Sequence, residues 1–352
     1  MKRRLRFFSL LLTACLCFGA LTAFLAACSG TPRATLHEPG DNGYIPTSAN
    51  LLDFAIDAGQ AFVYDMDAGE YLYLKGEARV LYPASTTKLL TILYVLTLLS
   101  PDTLVTAGKE VSMIADGSSI AYIKRGHTLT VEMLIEGILL PSGNDAAYVL
   151  AAAGGRALLG NPDAGAKEAV NAFVDGMNRY GEEIGLCGSR FLSPDGNTEE
   201  AHYSTVEDMT IIARLAAENA DIMRYAGLSE DDVTYASGET NHWVNTNLML
   251  DPGSEFYDSA VTGLKTGSLG KGKYSVIITA ELAGKRYLLL TACNTPAPFS
   301  WLFNQSRGAV SRMEEFFRTA GMKPMGKFVC AGAAGRKELP ERLARRIERC
   351  WR

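Results

Sequence analysis

The sequence predicts an α+β fold in which a mainly antiparallel sheet is flanked by helices and carries an inserted helical subdomain. β-favouring residues fill two short runs near the start of the chain, residues 61–66 and 71–74. Helical periodicity with many alanines dominates residues 131–226, and β-favouring runs return after residue 257. Because strands at both ends of the sequence enclose a helical middle, we expect the N-terminal and C-terminal strands to pair in one sheet.

The individual elements follow from local patterns. The first two runs flank a turn at residues 67–70, which is typical of a β-hairpin. A long apolar segment, residues 84–99, comes directly after Pro83 and predicts a buried helix with proline near its first turn. The remaining predictions are strands at residues 260–265, 274–281 and 287–293, a hairpin connection at 282–285, and an amphipathic helix at 307–319.

The N-terminus has the pattern of an export signal. Basic residues between Lys2 and Arg6 precede an apolar stretch, residues 7–27. The stretch ends in Leu-Ala-Ala-Cys28, which resembles the lipobox of bacterial lipoproteins, so we expect residues 1–28 to be a signal peptide and Cys28 to carry a lipid. The alternative is an uncleaved signal anchor, since an apolar stretch of this length can also cross a bilayer. Both interpretations place the protein outside the cytoplasm and tether it to the membrane.

Three further boundaries follow from composition. Residues 29–49 are rich in Gly, Pro, Ser and Thr and predict a linker, and residues 50–322 form the predicted folded domain. In residues 323–352, apolar side chains recur every four positions from Leu339 to Trp351 beside several arginines, which predicts a basic amphipathic tail. Such a helix can lie on anionic lipid as a second membrane contact; the alternatives are a helix docked on the domain or a frayed tail.

Composition and charge exclude several classes of partner. The 352 residues are 47% hydrophobic and 21% charged, as in a folded globular protein, and the net charge of -5 provides no basic surface for nucleic acid. The seven cysteines form no CxxC pair and show no zinc-ligand spacing. We therefore expect no nucleic acid, no metal and no cofactor.

A serine and a lysine at the start of the predicted helix form the first candidate catalytic pair. The i, i+3 spacing of Ser85 and Lys88 places a hydroxyl and an amine on one face of a helix. A lysine can take the serine proton only when it is neutral, which requires burial or a second cation nearby, and Lys265 is the candidate for that cation. The structural alternative is that Ser85 caps the helix while Lys88 extends into solvent.

Two other short elements carry polar groups at predicted loop and strand ends. Ser142-Gly-Asn144 separates two predicted helices, where a turn with a helix cap is the structural alternative. Lys265-Thr266-Gly267 ends a predicted strand, where glycine would let the backbone of a ligand approach, or where the strand simply enters a turn. Each element alone is weak evidence, because Ser268-Leu-Gly-Lys also matches Ser-x-x-Lys by chance.

Together and in this order, the three elements match the set found in penicillin-binding proteins and serine β-lactamases. Over residues 51–322 the sequence resembles the D-alanyl-D-alanine carboxypeptidases, the low-molecular-weight penicillin-binding proteins, with supporting stretches at residues 191–196, 202–208 and 245–247. The resemblance implies a fold like that of the DD-peptidases and β-lactamases. It also implies removal of the terminal D-alanine from peptidoglycan stem peptides ending in D-Ala-D-Ala, through a serine acyl-enzyme that β-lactams also form.

The resemblance implies a role for each residue. Ser85 would be the nucleophile and Lys88 its base, while Asn144 positions Lys88 and Ser142 passes a proton to the leaving D-alanine. Substrate binding would fall to Lys265, Thr266, Gly267 and Ser268. In that group, Lys265 and Thr266 would face the terminal carboxylate, the strand would bind an extended peptide, and the Ser85 and Ser268 N–H groups would hold the oxyanion.

Two other functions are compatible with the same elements. A class A β-lactamase needs a glutamate in a Glu-x-x-Leu-Asn pattern to activate the deacylating water, and the sequence has no such pattern. A noncatalytic sensor of peptidoglycan or β-lactams would be expected to have lost at least one polar residue of the three elements. All six are present: Ser85, Lys88, Ser142, Asn144, Lys265 and Thr266. No Gly-x-Ser-x-Gly elbow occurs either. The sequence leaves open whether pentapeptide ends or cross-links are cut.

Overall fold

The structure is a computed structural model, and it describes residues 52, 54–76, 80–197, 201–270, 273–294 and 299–320. The predicted signal peptide with Cys28, the linker and the basic tail lie outside the described residues. None of the described helices has both the length and the apolar composition that a bilayer span requires.

Within the described residues, five antiparallel strands form the central sheet, and four shorter strands form two separate two-stranded sheets. The strands are β1 Gln60–Asp65, β2 Glu70–Lys75, β3 Leu104–Thr106, β4 Thr128–Thr130, β5 Glu230–Thr234, β6 Thr240–Val244, β7 Val261–Ser268, β8 Lys273–Leu282 and β9 Lys285–Asn294. The order in the large sheet is β2-β1-β9-β8-β7. Phe62 of β1 lies opposite Leu290 of β9. The predicted pairing of the two ends of the chain is confirmed.

Seven α-helices lie within the described residues. They are α1 Lys88–Val95, α2 Val131–Leu139, α3 Asn144–Leu159, α4 Ala166–Glu183, α5 Val206–Ala217, α6 Ala220–Ala226 and α7 Phe299–Ala320. The helical middle of the chain is therefore confirmed as α2 to α6. The amphipathic helix predicted at residues 307–319 is also confirmed, although it begins earlier, at Phe299.

The two faces of the sheet are covered by different helices. Alternate residues of a strand point to opposite faces. Val276 and Ile278 of β8 pack with Phe303 and Met313 of α7. Ile277, between them, belongs to the larger core that the sheet forms with the other helices. The sheet is thus a middle layer, and its β7 edge faces the region where the predicted motifs meet.

The predicted helix at residues 84–99 is wrong in its form. Residues Ala84–Thr87 make a 3-10 turn, and the α-helix extends only over Lys88–Val95. Ala84 has a φ of 50°, so the chain enters the turn from a left-handed conformation. The Lys88 N–H donates to the carbonyls of Ser85 and Thr86. The segment before Ser85 is packed tightly against other parts of the chain, as described below, and this packing fixes its conformation. Hydrophobic periodicity carries no information about such packing.

The β5–β6 hairpin was not predicted. Its strands are mostly charged or polar and exposed, with Val233 and Trp243 as the buried side chains. Trp243 packs against α2, where its ring lies near Gly137. Since one buried residue in each strand gives no alternating pattern, the sequence carried too weak a signal for a strand.

Candidate active site

The segment before Ser85 packs directly on the edge strand β7. A Cβ atom added at Gly267 would lie 2.5 Å from Ser275 Oγ and 2.7 Å from the Pro83 carbonyl oxygen. Ser275 Oγ donates a hydrogen bond of 3.1 Å to that same carbonyl. Gly267 is therefore required by the packing of the protein's own backbone, a reason that differs from the expected approach of a ligand. This contact brings Ser85 beside Lys265, Thr266 and Ser268 of β7.

Lys88 is fully buried and hydrogen-bonded at the centre of the site. Its Nζ lies 2.8 Å from Ser85 Oγ, 2.7 Å from Asn144 Oδ1 and 3.2 Å from the Asp195 carbonyl oxygen. Side chains three residues apart eclipse in a 3-10 turn, so the turn at Ser85 brings its hydroxyl into line with the lysine. The structural alternative, in which Lys88 extends into solvent and Ser85 caps a helix, is wrong, because Lys88 is 0% exposed and the turn has no side-chain cap.

Burial shifts both lysines toward their neutral forms. It lowers the pKa of Lys88 to about 8, although the negative charges of Asp195 and Asp145 act in the opposite direction. Burial together with the positive charge of Lys88 holds the pKa of Lys265 well below its usual range. Burial is what lowers the pKa of Lys88, so the expected role of Lys265 as a second cation that neutralises Lys88 stays a prediction.

The Ser142-Gly-Asn144 turn lies between α2 and α3, as predicted. Ser142 has a φ of 58°, the Gly143 N–H donates to the Gly137 carbonyl at 2.9 Å, and the Asn144 N–H donates to the Ser119 carbonyl at 2.8 Å. Both polar side chains of the turn are buried. Within the described part of the chain, no protein group is hydrogen-bonded to the Ser142 hydroxyl. The turn thus places the Asn144 amide on Lys88 and buries the Ser142 hydroxyl two residues before it.

Asp145, which was not predicted from the sequence, holds the segment of residues 121–123 beside this turn. One carboxylate oxygen accepts from the Ala121 N–H and the other from the Ile123 N–H, each at 2.8 Å. Burial raises the pKa of Asp145, while these backbone hydrogen bonds oppose the rise. The only signal for Asp145 in the sequence was its position directly after Asn144. Its hydrogen-bond partners, the N–H groups of Ala121 and Ile123, lie more than 20 residues away in the sequence.

Two further supports come from loops. The Asp195 carbonyl, already described as an acceptor for Lys88, belongs to the loop that follows α4. The Thr246 and Thr266 hydroxyls lie 2.6 Å apart, which ties the segment after β6 to the strand β7. Both contacts join residues that are distant in sequence, so no local pattern could have predicted them.

His202 has a structural role, because both of its ring nitrogens are hydrogen-bonded inside the protein. The Leu192 N–H donates to Nδ1 at 3.1 Å, so the Nε2 proton faces Thr87 Oγ1 at 2.9 Å. Burial lowers the pKa of His202 to about 4 and keeps the ring neutral, and the Leu192 N–H fixes the tautomer. In the parts of the chain that the structure describes, no three His, Cys, Asp or Glu side chains are grouped to hold a metal ion.

Comparison with known proteins gives consistent matches. The family model for D-alanyl-D-alanine carboxypeptidase matches residues 46–292. The D-alanyl-D-alanine carboxypeptidase DacF of Bacillus subtilis strain 168 is 31% identical over 251 residues, covering 69% of this chain and 59% of the relative. The D-alanyl-D-alanine carboxypeptidase of Streptomyces sp. strain K15 is 32% identical over 285 residues, covering 78% of this chain and 90% of the relative.

The fold is shared with a solved structure as well. The crystal structure of the Streptomyces K15 DD-transpeptidase superposes with a TM-score of 0.63 at 28% identity, covering 75% of this chain and 97% of that chain. The predicted α+β fold of the DD-peptidase type is thereby confirmed. The chain spans 59% of the length of the Bacillus relative. Since the family model matches well over half of the sequence, the chain belongs to the D-alanyl-D-alanine carboxypeptidase family.

Proposed function

We propose that the protein is a serine-type D-Ala-D-Ala carboxypeptidase that removes the terminal D-alanine from peptidoglycan stem peptides through an acyl-enzyme on Ser85. The observation that carries this proposal is the buried Lys88, whose Nζ lies 2.8 Å from Ser85 Oγ and whose pKa burial lowers to about 8. A hydroxyl beside a buried amine is the arrangement that activates a serine without histidine. The family and its named relatives support the choice of substrate.

The partners of Lys88 determine where its lone pair points. A neutral lysine amine has two N–H groups and one lone pair. The Asn144 Oδ1 and the Asp195 carbonyl oxygen can only accept hydrogen bonds, so the two N–H groups are directed at them. The lone pair then faces Ser85, whose hydroxyl donates its proton to Nζ as Oγ attacks the carbonyl carbon of the penultimate D-alanine. Asn144 is thus a positioning residue for the base.

The edge of the sheet supplies a binding surface for the substrate. Within the described residues, β7 is the outermost strand and has no neighbour beyond it in the sheet. An extended peptide can add to such an edge through backbone hydrogen bonds. Lys265 and Thr266 of β7 would receive the terminal carboxylate, and the backbone N–H groups of Ser85 and Ser268 would stabilise the oxyanion.

Collapse of the tetrahedral intermediate would release D-alanine after its nitrogen takes a proton from Ser142, which is resupplied through Lys88. Water then attacks the ester on Ser85 and regenerates the serine. An amine in place of water would give a new peptide bond, which is transpeptidation, the activity in the name of the similar Streptomyces K15 structure. A β-lactam presents a reactive amide to the same serine and would leave a stable acyl-enzyme.

Location follows from the substrate and from the start of the chain. Peptidoglycan lies outside the cytoplasm, and the pattern of residues 1–28 supports export with a lipid on Cys28. The basic tail would add a second membrane contact through its arginines, which anionic lipids attract. Replacing Cys28 by serine should abolish incorporation of labelled fatty acid. Unchanged incorporation would contradict the lipid anchor.

The activity is tested by release of D-alanine from diacetyl-L-lysyl-D-alanyl-D-alanine by the full chain in detergent. The parent should release D-alanine, the Ser85→Ala variant should not, and the exposed Ser112→Ala variant should match the parent. Adding glycylglycine as an amine acceptor separates hydrolysis from transpeptidation. A parent that binds labelled penicillin but releases no D-alanine and forms no new peptide would favour the noncatalytic sensor and contradict the proposal.

A further inference from the structure

Tyr122 has an unusual backbone conformation and an exposed side chain. Its φ is 61°, in the left-handed region that bulky residues rarely adopt, and its side chain is 61% exposed. A left-handed conformation costs free energy for a residue with a Cβ atom, and an exposed ring recovers little of it. The fold of the domain gains nothing evident from tyrosine at this position.

The neighbours of Tyr122 impose this conformation. The N–H groups of Ala121 and Ile123 both donate to the Asp145 carboxylate at 2.8 Å. The Ala121 carbonyl accepts from Trp243 Nε1 at 3.0 Å. Because Ala121 and Ile123 are buried on either side, the ring of Tyr122 is directed away from the core. Strain held by several buried hydrogen bonds is a feature of ligand-binding segments.

The segment that carries Tyr122 borders the proposed active site. A Cβ atom added at Gly143 would lie 2.7 Å from Ala121 Cβ, so Tyr122 follows a residue in contact with the Ser142-Gly-Asn144 turn. The Asn144 N–H donates to Ser119, in the same segment. Tyr122 therefore stands on the helical side of the site, and β7 forms the opposite side.

We propose that Tyr122 forms the apolar wall of the substrate groove and packs against the aliphatic side chain of the residue that precedes D-Ala-D-Ala. This inference rests on the proposed function. The two D-alanine methyl groups are small, so the preceding residue is the one whose long side chain can cover a ring across the groove. An aromatic ring offers a large, rigid contact surface at a low cost in conformational entropy.

The test compares two substrates that share a backbone and differ in that side chain. They are diacetyl-L-lysyl-D-alanyl-D-alanine and acetyl-L-alanyl-D-alanyl-D-alanine, cleaved by the full chain and its variants. The Tyr122→Ala variant should raise KM for the lysyl peptide about fivefold to tenfold, the loss expected from about 50 Å² of buried apolar contact. Its kcat for the lysyl peptide, and both constants for the alanyl peptide, should stay near those of the parent.

Two control variants accompany the test. Tyr122→Phe keeps the ring and should behave as the parent does. Leu104→Ala removes another apolar side chain, which is 62% exposed. This side chain lies in a hollow that Arg156 and Gly160 also line, at the C-terminal end of α3. It should leave both substrates unaffected.

Equal KM values for parent and Tyr122→Ala on the lysyl peptide would overturn the inference and leave the proposed function standing. A loss of equal size on both peptides would overturn it too, because a general structural role affects both. A parent that cleaves neither peptide would contradict the proposed function, and the inference would fall with it.

Discussion

The lowered pKa of Lys88 predicts how acylation depends on pH. With a pKa of about 8, the neutral fraction of Lys88 is about 9% at pH 7, about 50% at pH 8 and about 91% at pH 9. The acylation rate should therefore rise about fivefold from pH 7 to pH 8 and less than twofold from pH 8 to pH 9. A lysine with its ordinary pKa would instead give about a tenfold rise in each unit up to pH 10.

The assay is the rate at which a fluorescent penicillin acylates the protein under single-turnover conditions between pH 6 and 10. Circular dichroism at each pH checks that the protein remains folded. Removing the negative charge of Asp195 by Asp195→Asn should move the midpoint of the rise to lower pH, while the exposed Lys109→Ala should leave it unchanged. A rate that continues to rise tenfold per unit through pH 10, or one that does not depend on pH, would refute the assignment of Lys88 as the base.

Three further predictions concern stability, measured by urea unfolding. Burial and the nearby Asp231 raise the pKa of Glu136 from 4.5 to about 8, so folding favours its protonated form and its contribution to stability is lost as pH rises from 4.5 to 8. Glu136→Gln should remove that decline and increase the free energy of unfolding at pH 7 by about 2 kcal/mol; a variant as unstable as the parent would contradict this. Gly155→Ala should destabilise the protein by about 2 kcal/mol or more, because the added Cβ would lie 1.9 Å from the Ala169 carbonyl oxygen and push α3 away from α4. Unchanged stability would show that the two helices do not approach each other so closely. His202, kept neutral by burial, should cause stability to fall as pH decreases from 6.5 toward 4, and a His202→Asn variant that retains the full slope would exclude it as the cause.

The sheet and its pairing could be predicted because the signal is local and repeated. The runs that form β1 and β2 flank a clear turn, and apolar residues fill β8 and β9. Both faces of β8 and β9 are buried, which explains the apolar character of these two strands. The rule that strands enclosing a helical middle pair with each other predicted that the two ends of the chain share a sheet, but not that β1 and β9 are the strands in contact.

The residues at the centre of the site were also visible in the sequence, because their chemistry needs fixed spacings. Ser85 and Lys88 must face each other across one turn, and Asn144 must begin a helix. The surroundings that make this chemistry work were not visible. Burial of Lys88 and the acceptor supplied by the Asp195 carbonyl depend on segments more than 100 residues away in the sequence.

The form of the turn at Ser85 shows the same limit. Periodicity predicts one helix through residues 84–99, yet the chain makes a 3-10 turn there. A Cβ atom at Gly196 would lie 1.9 Å from the Ala84 carbonyl, so this backbone is packed tightly from a distant loop. Tertiary contact overrides local preference at the position where the nucleophile must be presented.

The central claim is that Ser85 is the nucleophile, and the most direct test is mass spectrometry after reaction with benzylpenicillin. The full chain should gain the mass of one penicilloyl group, and peptide mapping should place it on Ser85. The Ser85→Ala variant should gain none, and Lys88→Ala should be acylated far more slowly while remaining folded. An adduct on Ser142 or Ser268, or an adduct of equal yield in Ser85→Ala, would contradict the account.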